Sequence, residues 1–298
     1  MSNYHVPVML SECLDGLNIN PGGIFVDVTF GGGGHSRAIL ERLDTGRLIA
    51  FDQDDDAQAN ALQDPKFTLV HHNFRYLKRF LRYHDAIPVD GILADLGISS
   101  HQIDEAERGF AHRFDAELDM RMNRESGKSA VNLINEAPEE ELQRILRFYG
   151  ELSNSRGIAS AIGAARARQP IQTTGELKGA LARFAPRGKE NQFYSQVFQA
   201  LRIEVNDELA VLREFLEQSV EVLKVGGRLV VMSYHSLEDR LVKNFMQTGD
   251  FEGNDTRDVF GNRIRPLEPI GKAIKASNNE IAQNTRARSA RLRIAEKR

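Results

Sequence analysis

The sequence predicts an α/β fold in which a mostly parallel sheet, covered by helices, is interrupted by a helical insertion. Short apolar runs recur with helical patterning between them, the alternation stops between about residues 107 and 195, and it resumes afterwards. At 298 residues the chain is long enough for one sizeable domain and a smaller second one. The expected division is a discontinuous core of residues 1–106 and 196–298 around an inserted helical domain of residues 107–195.

In chain order, the apolar runs Ile24 to Val28, Leu48 to Phe51, Phe67 to Val70 and Gly91 to Ala94 read as strands, and Arg228 to Ser233 as a fifth. Pro269 to Lys275 and Arg291 to Glu296 read as two further strands that add a hairpin to one edge. Inside the insertion, Leu142, Ile145, Leu146 and Tyr149 fall at the i, i+3, i+4, i+7 spacing of one helix face. Thr173 and Glu176 form a capping box before Leu177 to Phe184. Leu209, Leu212, Leu216, Val220 and Leu223 predict a long amphipathic helix that stops at Gly226-Gly227. In Asp52-Gln-Asp-Asp-Asp56, the later carboxylates read as a cap on the next helix.

The stretch Phe25-Val-Asp-Val-Thr-Phe-Gly-Gly-Gly-Gly-His-Ser36 joins a strand to a helix expected over Ser36 to Leu43. Gly31 to Gly34 carry no Cβ, so the turn can take positive φ and bring main-chain atoms against a ligand, with the helix's positive end aimed at the same place. Asp52 ends the second strand about twenty residues beyond the glycines, where Rossmann-like folds hydrogen-bond a ribose hydroxyl. Both NAD and S-adenosylmethionine carry that ribose. Ser36 stands where a dinucleotide fingerprint wants its third glycine, which weakens NAD and FAD. Asp27, close to the turn, suits the sulfonium and amino group of S-adenosylmethionine better than two phosphates.

Asp95 ends the fourth strand and opens Asp95-Leu-Gly-Ile-Ser-Ser100. Ligands of doubly wound sheets bind beyond such carboxyl ends. An exocyclic amino nitrogen has its lone pair delocalised into the ring, so acceptors on its hydrogens are needed to turn that pair toward a methyl donor. Asp95 is the candidate acceptor. His235, in the polar run after the fifth strand, is either a substrate-side group or a satisfied buried histidine.

The net charge of −3 conceals segregation. Arg156, Arg166, Arg168, Lys178, Arg183, Arg187 and Lys189 face one acid, Glu176, between residues 153 and 189. Arg286, Arg288, Arg291, Arg293, Lys297 and Arg298 face only Glu296. Two such runs flanking a ligand-binding domain point to a nucleic-acid partner. Cys13 is the single cysteine and sits among Leu10, Leu14 and Leu17, so it packs and forms no internal disulfide. The eight histidines lack paired metal-ligand spacing, and no metal is expected. There is no 18-residue apolar run and no basic leader at the N-terminus, so a soluble cytoplasmic protein is expected, with no membrane partner.

Taken together, His5-Val-Pro-Val, Phe30-Gly-Gly-Gly-Gly-His-Ser36, Asp95-Leu-Gly-Ile-Ser-Ser100, Glu107-Arg-Gly-Phe110, Leu118-Asp-Met-Arg-Met122, Phe198-Gln-Ala-Leu-Arg-Ile203, Ser233-Tyr-His-Ser-Leu-Glu-Asp-Arg240 and Arg286-Ala-Arg-Ser289 resemble the RsmH (MraW) family over nearly the whole chain. The resemblance implies a class I S-adenosylmethionine-dependent methyltransferase sheet. It also implies N4-methylation of a cytidine, cytosine 1402, in the decoding region of 16S rRNA within the 30S subunit. By the same likeness Gly33, Gly34 and His35 contact the cofactor, Asp52 the ribose and Phe74 the adenine, with Asp95 and Gln102 completing the pocket. The family often has another residue where this chain has Gly32, and the loop between about Gly249 and Arg265 is short. Two rival functions share parts of the pattern: an NAD-dependent oxidoreductase, and a ribosome-assembly factor that binds cofactor without transferring methyl.

Overall fold

The computed structural model describes residues 7–125 and 127–298, so His5 and Val6 of the N-terminal motif lie outside the described residues. Two compact units divide the chain, one of residues up to Gly97 with 209–298 and one of residues 98–208. Both boundaries fall outside the expected 106/107 and 195/196. The reason is packing: Phe193, Val197 and Leu201 lie in the same apolar cluster as Leu142 and Leu177, so their whole helix goes with the insertion.

The first unit is one eight-stranded sheet: β1 (Ile24–Asp27), β2 (Arg47–Asp52), β3 (Phe67–His71), β4 (Val89–Asp95), β5 (Leu223–Ser233), β6 (Leu267–Pro269), β7 (Ile274–Lys275) and β8 (Arg291–Lys297). The order is β3-β2-β1-β4-β5-β8-β6, with β7 also on β8. The first five strands are parallel, and β6 to β8 are antiparallel additions. The chain runs outward from β1 to β3 on one side and from β4 to β5 on the other. The topological switch point therefore lies between β1 and β4, and ligands of doubly wound sheets bind at the strands' carboxyl ends beside such a point.

The expected hairpin is present, but its last strand is not at the edge. β8 inserts between β5 and β6, so the basic C-terminal segment is internal sheet. Arg293 donates to both oxygens of Asp239 at 2.7 and 3.1 Å, and Arg298 pairs with Glu268. Gly226-Gly227 is not a helix stop either, because β5 begins at Leu223 and runs through the pair.

Alternation along the buried strands feeds both faces. Val26, Ile49, Ile92 and Val231 pack under α4 (Leu77–Tyr83), α11 (Glu208–Val222) and α12 (Ser236–Thr248). Phe25, Leu48, Leu93 and Val230 pack under α1 (Leu10–Leu17) and α2 (Gly34–Leu40). Each of these large side chains contributes about 1.5–3 kcal/mol by leaving water. Short helices α3 (Asp55–Gln58) and α13 (Asn278–Gln283) complete the unit. Asp54 caps α3 by accepting from the Asp56 N–H at 3.2 Å.

The second unit is helical: α5 (Ser100–Asp104), α6 (Ala130–Glu136), α7 (Glu139–Phe148), α8 (Ser155–Arg166), α9 (Thr174–Leu181) and α10 (Glu190–Val205). Leu142, Ile145 and Leu146 are fully buried, as their spacing requires. Capping boxes start three of the helices, at Ser99/Gln102, Ser129/Asn132 and Thr173/Glu176. Among the described residues no helix is long and apolar enough to cross a membrane.

Candidate active site

The glycine turn leaves β1 and enters α2, which starts at Gly34 and ends at Leu40, earlier at both ends than its sequence pattern suggests. Gly31 and Gly33 have φ of 51° and 75°. A Cβ on Gly33 would stand 2.9 Å from the Phe30 ring, and one on Gly34 would stand 2.4 Å from Pro7 Cγ. Around Gly32, by contrast, a Cβ would meet nothing within 4 Å. Gly33 and Gly34 are therefore required by the fold, and Gly32 by nothing in the protein itself.

Asp27 does not project into that open space. It is buried, with Oδ1 accepting from Thr29 N–H at 3.1 Å and Oδ2 accepting from the Ser36 hydroxyl at 2.7 Å. Ser36, which replaces the third glycine, thus ties α2 to the end of β1. Thr29 continues the connection, its Oγ1 accepting from the Asp95 N–H at 2.7 Å. These bonds fix the ends of β1 and β4 against each other at the switch point.

Asp52 closes the turn from the side. Its Oδ2 accepts from Gly31 N–H at 2.7 Å and its Oδ1 from Asp54 N–H at 2.9 Å. Burial pushes its carboxyl up to about 6, although both backbone bonds pull it down. Asp95 is likewise pushed up to about 6 by burial, with His35 and the Tyr234 hydroxyl acting in the opposite direction. The Tyr234 hydroxyl donates to Asp95 Oδ1 at 2.7 Å. On the other side, His35 Nδ1 lies 3.8 Å from Asp95 Oδ2, while Nε2 lies 3.1 Å from the Val8 carbonyl. A carbonyl can only accept, so Nε2 carries the proton.

The other expected residues occupy distinct places. Phe74 follows β3 and packs edge-on against Phe215, with ring centroids 5.3 Å apart, leaving it half-buried. Gln102 belongs to the second unit, where its Oε1 accepts from Ser99 N–H at 3.0 Å. The side chain of His35 is turned inward and buried. His235 is half-buried, with Nε2 3.1 Å from Glu238 Oε1 at the start of α12. Cys13 is fully buried in the apolar cluster, and burial pushes its thiol upward.

In the second unit Arg156, Arg168, Arg183, Arg187 and Lys189 are exposed. Arg166 and Lys178 instead donate to the carbonyls of Ile134 and His112, at 2.6 and 2.9 Å. Tyr234 was not distinguishable from its neighbours in sequence, because its partner Asp95 lies 139 residues away.

Three strand-end carboxylates, Asp27, Asp52 and Asp95, thus surround a glycine turn, and among the described residues none is in ion-pair contact with a lysine or arginine. This donor set fits S-adenosylmethionine: a cation offsets the carboxylates' desolvation, an open backbone turn accepts the methionine end, and Asp52 retains lone pairs for ribose hydroxyls. A pyrophosphate would add like charge to a site already carrying uncompensated acid.

A family model described as the MraW methylase family matches residues 2–298. The chain is 58% identical to a Cytophaga hutchinsonii protein named ribosomal RNA small subunit methyltransferase H, over 99% of each chain. Proteins of the same name from Flavobacterium psychrophilum and Bacteroides fragilis are 59% and 55% identical, over 97% and 99% of this chain and 100% and 98% of theirs. Among solved structures, an rRNA methylase from Streptococcus thermophilus aligns over 99% of both chains at 14% identity, with a TM-score of 0.45.

Proposed function

The chain belongs to the MraW methylase family, and from that premise we propose that it methylates N4 of a cytidine in the decoding region of 16S rRNA, cytosine 1402, using S-adenosylmethionine. The observation that carries this reading is the trio Asp27, Asp52 and Asp95 around the glycine turn, none of them in ion-pair contact with a lysine or arginine among the described residues. When bound, the cofactor supplies a methyl group made electrophilic by a sulfonium.

The chain's own residues do the rest. Gly31 to Gly34 offer main-chain atoms to the methionine end, Asp52 holds the ribose, and Phe74 provides an aromatic face for the adenine. Asp95 accepts a hydrogen bond from the cytosine amino group, turning its lone pair out of the ring and toward the methyl. As the nitrogen–carbon bond formed, the donor's carbon–sulfur bond would break, and Asp95 or water would take the departing N4 proton. Cys13 is buried in the apolar core and offers no nucleophile for a pyrimidine ring, so no covalent base adduct is formed.

The base is unstacked to reach these groups, and the exposed arginines of the second unit, Arg156, Arg168, Arg183 and Arg187, hold neighbouring phosphates. Gln102 orders the start of that unit through its cap on Ser99. The substrate, rRNA within the 30S subunit, makes this a cytoplasmic enzyme. Incubation of the full chain with labelled S-adenosylmethionine and undermethylated 30S subunits should place the label on N4 of one cytidine. Label on a ring carbon, a ribose hydroxyl or protein refutes that specificity, and cofactor binding with no transfer supports an assembly factor instead.

A further inference from the structure

Two side chains at the carboxyl ends of adjacent strands make a contact that the methylation reading does not require. Tyr234 follows β5, and its hydroxyl reaches Asp95 Oδ1 at 2.7 Å. The ring is held from several sides. Its own backbone N–H donates to Glu238 Oε2 at 2.9 Å. Gly97, at φ 94°, brings the β4 turn against the ring, where a Cβ would stand 3.5 Å from Tyr234 Cδ2. Asp95 is fixed in turn by its N–H bond to Thr29 Oγ1.

Burial and the neighbouring carboxylate push the tyrosine hydroxyl far above its ordinary range, so it keeps its proton and acts only as a donor toward Asp95. Such a bond occupies one carboxylate oxygen and stops rotation about the Cβ–Cγ bond. The second oxygen, Oδ2, is left on the side of His35 Nδ1, at 3.8 Å, and among the described residues has no hydrogen-bond donor at bonding distance.

We propose that Tyr234 is a positioning residue that holds Asp95 by Oδ1 so that Oδ2 is presented to the amino group being methylated. This rests on the N4-methylation reading above. An acceptor free to rotate would satisfy the amino hydrogen in several orientations, only some of which turn the nitrogen lone pair toward the methyl. A fixed acceptor removes that freedom before substrate binds, which lowers the barrier to the chemical step without strengthening ground-state binding.

The charge state of Asp95 is set jointly by the groups facing it: Tyr234 after β5, His35 on α2, Asp27 on β1, Glu238 on α12 and Cys13 on α1. Of these, Tyr234 is the donor in hydrogen-bond contact with the carboxylate.

The test is Tyr234→Phe in the full chain, which keeps the ring and removes one oxygen. Turnover on 30S subunits should fall roughly ten- to a hundredfold, as expected for a lost hydrogen bond to a charged group. KM for the subunit and Kd for S-adenosylmethionine should stay within about twofold, and the acid limb of the kcat profile should move to higher pH. The same substitution on an Asp95→Asn background should cost much less, since the two act as one unit.

Unchanged kcat, a loss carried by KM, or an unmoved acid limb overturns the proposal. Wild-type enzyme that puts label elsewhere than N4 overturns the reading beneath it. The hold on Asp95 is then still decided by the pH dependence of urea unfolding, whose Asp95 transition should shift upward in Tyr234→Phe. An unshifted transition overturns the hold as well.

Discussion

Replacing Asp95 with asparagine should make the ligand-free protein more stable while removing most of its activity. Asp95 ionises at about 6 in the fold against an ordinary 3.8, with burial as the principal cause. The difference is about two pKa units, so the ionised form is disfavoured by up to about 3 kcal/mol. The side chain is 23% exposed, and solvent screening reduces the expected figure to about 1–2 kcal/mol.

The direction follows from proton binding. Between pH 3.8 and about 6 the folded state holds more proton at Asp95 than the unfolded chain does. Stability therefore falls as pH rises through that window, and the full penalty stands above it. Asparagine cannot ionise, and its Oδ1 still accepts from Tyr234. Urea unfolding of wild type and Asp95→Asn should show a stabilisation about half its full size at pH 5 and constant from pH 7 to 8. At about 2–4 °C per kcal/mol the melting point rises by roughly 2–8 °C. A difference that is independent of pH, or a variant less stable than wild type at pH 8, refutes the argument.

The glycine turn makes a second prediction. Gly32→Ala should leave urea stability within about 0.5 kcal/mol, because the added Cβ meets nothing in the protein, yet weaken S-adenosylmethionine binding at least about tenfold by calorimetry. Gly33→Ala should instead lose about 1–3 kcal/mol of stability from its positive φ and the Phe30 contact. Full cofactor affinity in Gly32→Ala would show that the ligand does not approach this turn. For the second unit, joint replacement of Arg183 and Arg187 by glutamine should lower RNA affinity and reduce the slope of log K against log salt by roughly 1.4–1.8. Cofactor affinity should not change, and an unaltered salt slope would remove these arginines from the interface.

What could be read from sequence was whatever local periodicity encodes. β1 to β4 fall within two residues of their apolar runs, because a buried parallel strand is a continuous apolar stretch with few alternatives. The Thr173/Glu176 capping box and the Leu142 to Leu146 face are local in the same way. Features decided by distant partners were not legible. Nothing near Arg293 announces that Asp239 will neutralise it, or that β8 lies inside the sheet. Gly226-Gly227 carries a helix-stop signal, but α11 has already ended at Val222, and the pair lies within β5 between Leu223 and Arg228, the residues that pair with β4.

The three carboxylates best illustrate how sequence and structure divide the argument. In sequence Asp27, Asp52 and Asp95 are all strand-end acids, read there as partners of the cofactor's sulfonium and amino group, of its ribose and of the substrate's amino group. The hydrogen bonds separate them. Asp27 is occupied by Thr29 and Ser36 and contributes its charge through the fold rather than by contact. Asp52 and Asp95 each retain acceptor capacity and are each held at about 6 by burial. At neutral pH both are therefore ionised against a desolvation penalty, and among the described residues neither is in ion-pair contact with a lysine or arginine. A ligand bringing positive charge relieves that penalty, whereas one bringing two phosphates deepens it. The same burial that makes the empty site costly thus selects a cationic cofactor, and the predicted stability of Asp95→Asn measures part of that selectivity directly.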